Sequence, residues 1–310
     1  MTTFSTTPSP YPKLDLKRNY RTGLMIAITG AVLFSAKAIV AKLMYRYHVD
    51  AVTVLALRML FSLPVFMAIA LWQAATMPSL SAADRWRIIG LGLVGYYLSS
   101  FLDFLGLQYI SAGLERLILF LTPSFVLLIS VVFLRKRVSW IEWMALCVSY
   151  FGIVLVFMHD LHQGGSAIVL GASLVLGAAA SYAVYLILSG QLLERIGSLR
   201  LVSYAMCVSS VACIGQFFIL RSGTMLLQPT PVYWLSFINA FFCTILPVML
   251  TMFAMVRIGA GSVSLAGMIG PVSTLFLGAW ILHEQISMIQ LAGTALVLAG
   301  IFLLSTKRVR

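Results

Sequence analysis

Charge is what this sequence has least of. Only 10% of its 310 residues are Asp, Glu, Lys or Arg, against roughly 25% in an average soluble domain. With 61% of residues apolar and a mean hydropathy of +1.01, no water-soluble core could hide so much apolar surface. Acidic residues are scarcest, nine against 21 basic ones, which leaves a net charge of +12. That excess would fit a nucleic-acid binder if it formed one patch, but the basic residues sit at the ends of hydrophobic runs, so no nucleic-acid partner is expected. Four cysteines, Cys147, Cys207, Cys213 and Cys243, all fall inside apolar segments without metal-ligand spacing. His159 and His162 share a polar loop and read as solvated, so neither a metal nor a cofactor is expected. The start also lacks a secretory-signal pattern. Residues 1–20 are polar, carry Lys13, Lys17 and Arg18, and read as a cytosolic tail.

What is abundant is apolar length. A bilayer-spanning helix needs about 20 apolar residues, and runs of that kind bounded by charge or turn residues fall at 22–45, 51–72, 86–109, 112–133 and 138–157. A second set falls at 166–190, 199–220, 231–256, 260–282 and 287–305. With the N-terminus inside, fifteen basic residues lie at inner loops and span ends, among them Arg135-Lys136-Arg137, and only Lys42, Arg46 and Arg221 lie outside. The positive-inside rule therefore places both termini in the cytoplasm, of a bacterial-type inner (plasma) membrane. All six tryptophans (Trp72, Trp86, Trp140, Trp143, Trp234 and Trp280) fall near span ends, where indole prefers the headgroup region.

Shifting the chain on itself by 148 residues aligns 111–157 with 259–305 without a gap, with eleven identities in 47 positions. Pro123/Pro271, Ser139/Ser287 and Gly152/Gly300 weigh most, because shared apolar composition does not explain them. Each copy holds five spans, an odd number, so the second must enter the membrane from the opposite side. The expected fold is an all-α integral membrane protein of ten transmembrane helices in two inverted five-helix repeats. Its units are residues 1–20 (tail), 21–158 (first repeat), 165–305 (second repeat) and 306–310 (tail). Inverted repeats are common in secondary transporters, with the substrate near the midplane between them.

The stretches GLERLILFLTPSFVLLISVVFLRKRVSWIEWMALCVSYFGIVLV and AGSVSLAGMIGPVSTLFLGAWILHEQISMIQLAGTALVLAGIFLL each resemble the second half of the EamA repeat of the drug/metabolite transporter superfamily. There a Pro-containing helix precedes a short polar loop and a Gly-containing final helix. The resemblance implies a ten-helix carrier of small organic solutes working by alternating access, commonly an exporter of amino acids or related metabolites. In size and topology the chain looks like the YddG-type amino-acid exporters. Glu115, Arg116 and Asp103 depart from the common pattern of the first repeat.

Ionisable residues inside spans cost several kcal/mol unless they face a wet cavity or a partner. Lys37, Arg58, Asp103 and Arg116 lie about 6 to 12 Å inside the outer ends of their helices, at a rise of roughly 1.5 Å per residue. Asp103 and Arg116 flank a tight turn near Ile110 and Ser111, so a direct pair is expected. Glu115 points about 100° away from Arg116. Three readings stay open: a charge network that staples the first repeat or closes an outer gate; substrate recognition by Lys37 or Arg58 with proton uptake by Asp103 or Glu115; and snorkelling of Arg58 and Glu115 to the interface. The second repeat has Thr251 and Ser264 where the first has Asp103 and Arg116. Tyr96, Tyr97, Tyr182, Tyr185 and Asn239 are candidates for a cavity lining, although membrane tyrosines also serve in packing. Pro123 and Pro271 are expected to break their helices, as hinges or as static kinks. Gly90, Gly92 and Gly95 match a dinucleotide fingerprint, but within one apolar span they read as helix-packing residues.

The leading function is thus a secondary carrier whose partners are a small-molecule substrate and the lipid bilayer, with a monomer as the expected state. The loops are too short for an ATP-binding unit. An uncoupled facilitator or channel is the alternative. An intramembrane enzyme would need a nucleophile with a base, or a metal cluster, at membrane depth, and no histidine lies at the centre of a span.

Overall fold

A computed structural model describes residues 16–134, 139–221 and 227–308. Residues 1–15 of the expected tail, the Arg135-Lys136-Arg137 loop and the terminal Val309-Arg310 lie outside the described residues. The described chain is helical throughout its ordered elements: α1 (Leu16–Tyr45), α2 (Ala51–Thr76), α3 (Ala82–Gly92), α4 (Ser99–Leu107), α5 (Ala112–Leu119), α6 (Thr122–Leu134) and α7 (Trp140–Gly164). Then follow α8 (Ser166–Ile196), α9 (Ser198–Leu220), α10 (Thr230–Ala240), α11 (Leu246–Gly267), α12 (Ile269–Leu277) and α13 (Met288–Arg308). Among the described residues nine stretches are long and apolar enough to cross a bilayer; the apolar part of the last helix, Met288–Leu303, is shorter than any of them. All six tryptophans are exposed at the bundle surface.

The repeat has physical causes. Ser139 and Ser287 both cap a final helix: Ser139 Oγ accepts from Glu142 N while Glu142 Oε2 accepts from Ser139 N at 2.7 Å, and Ser287 trades the same two bonds with Gln290 at 3.1 and 3.2 Å. This reciprocal box satisfies two amides that the first helical turn would leave unpaired. Turns also recur. Gly259, at the 148-residue counterpart of Ser111, turns the chain with φ 77° and ψ 161°, a region open to glycine.

Two features had no signal in the identities. A π-helical segment Leu93–Leu98 joins α3 to α4, and another, Phe241–Ile245, joins α10 to α11, starting 148 residues later. The spans at 112–133 and 260–282, expected to break at Pro123 and Pro271, break instead just before each proline, at positions the identities did not mark. The first breaks at Phe120 and Leu121, the second at Met268, which is the counterpart of Phe120. Pro123 and Pro271 are therefore not mid-helix residues that remove a donor. They stand in the first turn of α6 and α12, where a missing N–H costs nothing and the fixed φ suits the helix start.

Packing between the copies is reciprocal under the same shift. The helix α2 packs along α9 and α7 along α13, each on its own counterpart. A Cβ on Gly152 would stand 2.6 Å from Gly293 O, and one on Gly300, its counterpart, 2.6 Å from Ala145 O, the counterpart of Gly293. Small residues thus let the two final helices approach backbone to backbone. Gly92 does the same for α3 against Ala205 O, and Gly95 of the first π segment leaves room for the Tyr185 side chain, whereas Gly90 faces open space.

Candidate functional site

The broken helices and π segments meet around one cavity of about 430 Å³. Gly95, Tyr96 and Thr244 bring both π segments to its wall, and Phe120, Thr122, Pro123, Gly267 and Met268 bring both breaks. A π turn carries one extra residue and is often found at functional sites. In the first segment Val94 O accepts the Ser181 hydroxyl at 2.7 Å beside its bond from Ser99 N, tying α8 to the segment. From the second copy Tyr182, Leu186, Met206, Val248 and Ile301 complete the lining.

Of the residues expected to form a site, Lys37, Arg58, Tyr96, Asp103, Tyr182 and Pro123 line this cavity. Tyr97, Tyr185, Asn239, Glu115 and Pro271 do not. Tyr185 packs behind the wall, 5.1 Å from Tyr96 and 5.5 Å from Tyr182 between ring centroids. Tyr97 stacks on Phe101. Asn239 is fully buried, and neither side-chain atom has a partner. Arg116 lines the cavity as well.

The charges form a layer at one end. The Lys37 ammonium donates to Asp103 Oδ2 and stands 3.5 Å from Glu115 Oε1, so one cation serves two carboxylates. The expected Asp103–Arg116 pair is replaced by Asp103–Lys37. Arg116 turns instead to α1 and α12: Nη2 donates to Ser35 Oγ at 3.3 Å, and the guanidinium lies 4.9 Å from the Phe34 ring and 5.8 Å from Phe120. Arg58 sits 4.8 Å from the Phe104 ring, and Lys37 5.5 Å from both Phe34 and Phe104. These aromatic faces offset part of the cost of burying cations. Snorkelling is overturned, since Arg58 is 5% exposed and Glu115 0%.

A second set of contacts lies at the C-terminal end of α1. Lys42 Nζ lies 3.1 Å from Glu284 Oε1, Arg46 Nη2 donates to Leu282 O at 2.8 Å, and Tyr45 donates to Phe104 O at 2.6 Å. The first two join α1 to the third π turn (Gly278–Leu282) and the residues just after it, and the third joins α1 to α4. On the opposite face Asp84 pairs with Arg195, and Arg200 Nη2 donates to Pro78 O at 2.8 Å. The sequence reading missed Glu284, a single acidic residue in a loop, because only the fold brings it to Lys42.

Comparison with known proteins agrees with this geometry. The profile of the EamA-like transporter family matches residues 21–158 and again residues 169–306, two stretches offset by the same 148 residues. The chain belongs to the EamA-like transporter family. It is 32% identical over 294 residues to the uncharacterized transporter YcbK of Bacillus subtilis (strain 168), covering 93% of each chain. An uncharacterized transporter of Archaeoglobus fulgidus is 26% identical over 228 residues, 73% of this chain and 79% of that one. A solved crystal structure superposes with a TM-score of 0.64 at 16% identity, over 94% of this chain and 99% of its own, a likeness of fold. As a member of this family within the drug/metabolite transporter superfamily, the chain is a multi-pass membrane transporter.

Proposed function

We propose that the protein is a secondary carrier that exports small organic metabolites, amino acids and aromatic ones among them, by alternating access around the central cavity. In this reading ten spans form two inverted repeats in an inner (plasma) membrane, with both termini cytoplasmic. The observation that carries it is the reciprocal construction of the cavity. Equivalent π segments and equivalent helix breaks from both copies meet there, and α2/α9 and α7/α13 pack as pairs of counterparts. Two such units can rock about the paired helices, opening one mouth as the other closes. The contacts of Lys42 and Arg46 with Glu284 and Leu282 hold the mouth that the charge rule puts outside.

Coupling rests with Asp103 and Glu115, which share Lys37. Proton uptake by either weakens its hold on the lysine and links flux to a proton gradient. Purified protein in liposomes is expected to show saturable counterflow of labelled against unlabelled aromatic amino acid, with a pH profile that Asp103→Asn or Glu115→Gln alters. Linear, non-saturable flux without counterflow would establish a pore instead, and wild-type pH profiles in both variants would remove the proton.

A further inference from the structure

The charge layer of the cavity does not balance within itself. Lys37 is the cation for both Asp103 and Glu115. Arg58 and Arg116 line the same cavity, are 5% and 6% exposed, and make no ion pair among the described residues. Each Nε is buried without a hydrogen-bond partner. Three cations against two anions leave one positive charge over, at a depth where an uncompensated charge costs several kcal/mol. A lysine can shed its proton to escape such burial, but an arginine in practice cannot.

Arg116 is also the better built of the two. Ser35, whose own hydroxyl donates to Ala31 O at 2.7 Å, receives Nη2. The second copy leaves the guanidinium its space through Gly270, where a Cβ would stand 2.9 Å from Nη2 and 3.2 Å from Nε. The group is thus seated where the copies meet, at the start of α12, the end at which a helix dipole favours negative charge.

We infer that Arg116, together with Arg58, is an anion subsite that takes a carboxylate of the transported solute, whose apolar body lies among Phe120, Tyr96, Tyr182 and Leu186. Planar, forked donors suit a carboxylate, and a bound monoanion brings the layer to neutrality. A solute ammonium, by contrast, has to compete with Lys37 for Asp103. The inference rests on the carrier reading and narrows it: the carboxylate of an amino acid is required and its amine is dispensable.

The test uses matched probes on the full chain in detergent: benzoate, 3-phenylpropionate and indole-3-propionate, each beside its amide, with phenethylamine as the cationic control. Ligand binding to the folded state raises the unfolding temperature. At least one acid is expected to raise it at a concentration tenfold below that needed by its amide, with phenethylamine without effect. If no acid outperforms its amide, or if phenethylamine matches the acids, the anion subsite is wrong. Arg116→Gln is expected to abolish the preference for acid over amide, and a preference kept at wild-type size removes Arg116 from the subsite. Should that variant not fold, Gly270→Ala keeps the charge but crowds the guanidinium, and an unchanged preference there refutes the seat described. Counterflow separates the two readings. Exchange of amines or amides alone overturns the subsite and leaves the carrier standing, whereas acid binding without counterflow of any solute overturns the carrier.

Discussion

Replacing Lys37 by Met removes the one cation that faces two buried carboxylates. The side chains of Lys37, Asp103 and Glu115 are 7%, 5% and 0% exposed, so little solvent contact is there to offset the lost ammonium. At the 3.5 Å that separates Lys37 from Glu115, a pair of unit charges in an effective dielectric of about 20 attracts by about 5 kcal/mol. Breaking a buried pair by deleting one partner typically costs about 3 to 5 kcal/mol, because a charge is left uncompensated. Lys37→Met should therefore destabilise by about 3 to 5 kcal/mol. Asp103→Asn should cost less, since Glu115 still balances the lysine. The double variant should be more stable than the sum of the two losses, as contacting charges are not additive. Unfolding of the four proteins in mixed micelles gives the cycle. A Lys37→Met variant within about 1 kcal/mol of wild type, or strictly additive losses, would refute the shared-cation arrangement.

Three further sets of perturbations address the scaffold. Gly152→Ala sets a methyl 2.6 Å from Gly293 O and should cost about 1 to 3 kcal/mol through forced separation of α7 and α13, while Gly215→Ala meets open space and should gain up to about 1 kcal/mol of helix propensity. Thermal unfolding in detergent reads both. Ser139→Ala and Ser287→Ala should each lose about 0.5 to 2 kcal/mol with their caps, and a double variant tests whether the two copies contribute independently. Asp50, outside the spans at the start of α2, is raised in pKa by burial, but Thr53 Oγ1 at 2.5 Å and Arg221 Nη2 at 2.6 Å outweigh it and hold the carboxyl below its ordinary value. Its contribution to stability is thus present above the ordinary carboxylate pKa of about 3.9 and is lost as pH falls through the lower folded value. Arg221→Gln should flatten that acid limb in an unfolding-versus-pH series, and an unaltered limb would show that the pair does not contribute.

Apolar runs separated by charge and turn residues gave the spans, because length in hydrocarbon is a local property of the chain. The repeat was legible wherever backbone chemistry constrains the residue, as in the capping serines Ser139 and Ser287 and the close contacts of Gly152 and Gly300. The π segments at Leu93–Leu98 and Phe241–Ile245 share the repeat without sharing residues, since an extra residue in a turn has no side-chain signature. The prolines marked the right places for the wrong reason. Pro123 and Pro271 begin helices after the breaks at Phe120 and Met268, which no proline occupies.

The sequence by itself determined a membrane-embedded, internally repeated helical protein whose first copy alone carries the cluster of charges deep within its spans. Hydropathy, period and charge placement are all read along the chain. Which charges meet was decided only by tertiary structure. Lys37 and Asp103 are 66 residues apart and Lys42 and Glu284 are 242 apart, and a helix fixes the angle of each side chain but not the neighbour it will face. The packing of α1 against Asp103 takes Lys37 out of the role of free cation, and the glycine of the opposite copy seats Arg116 at the cavity wall.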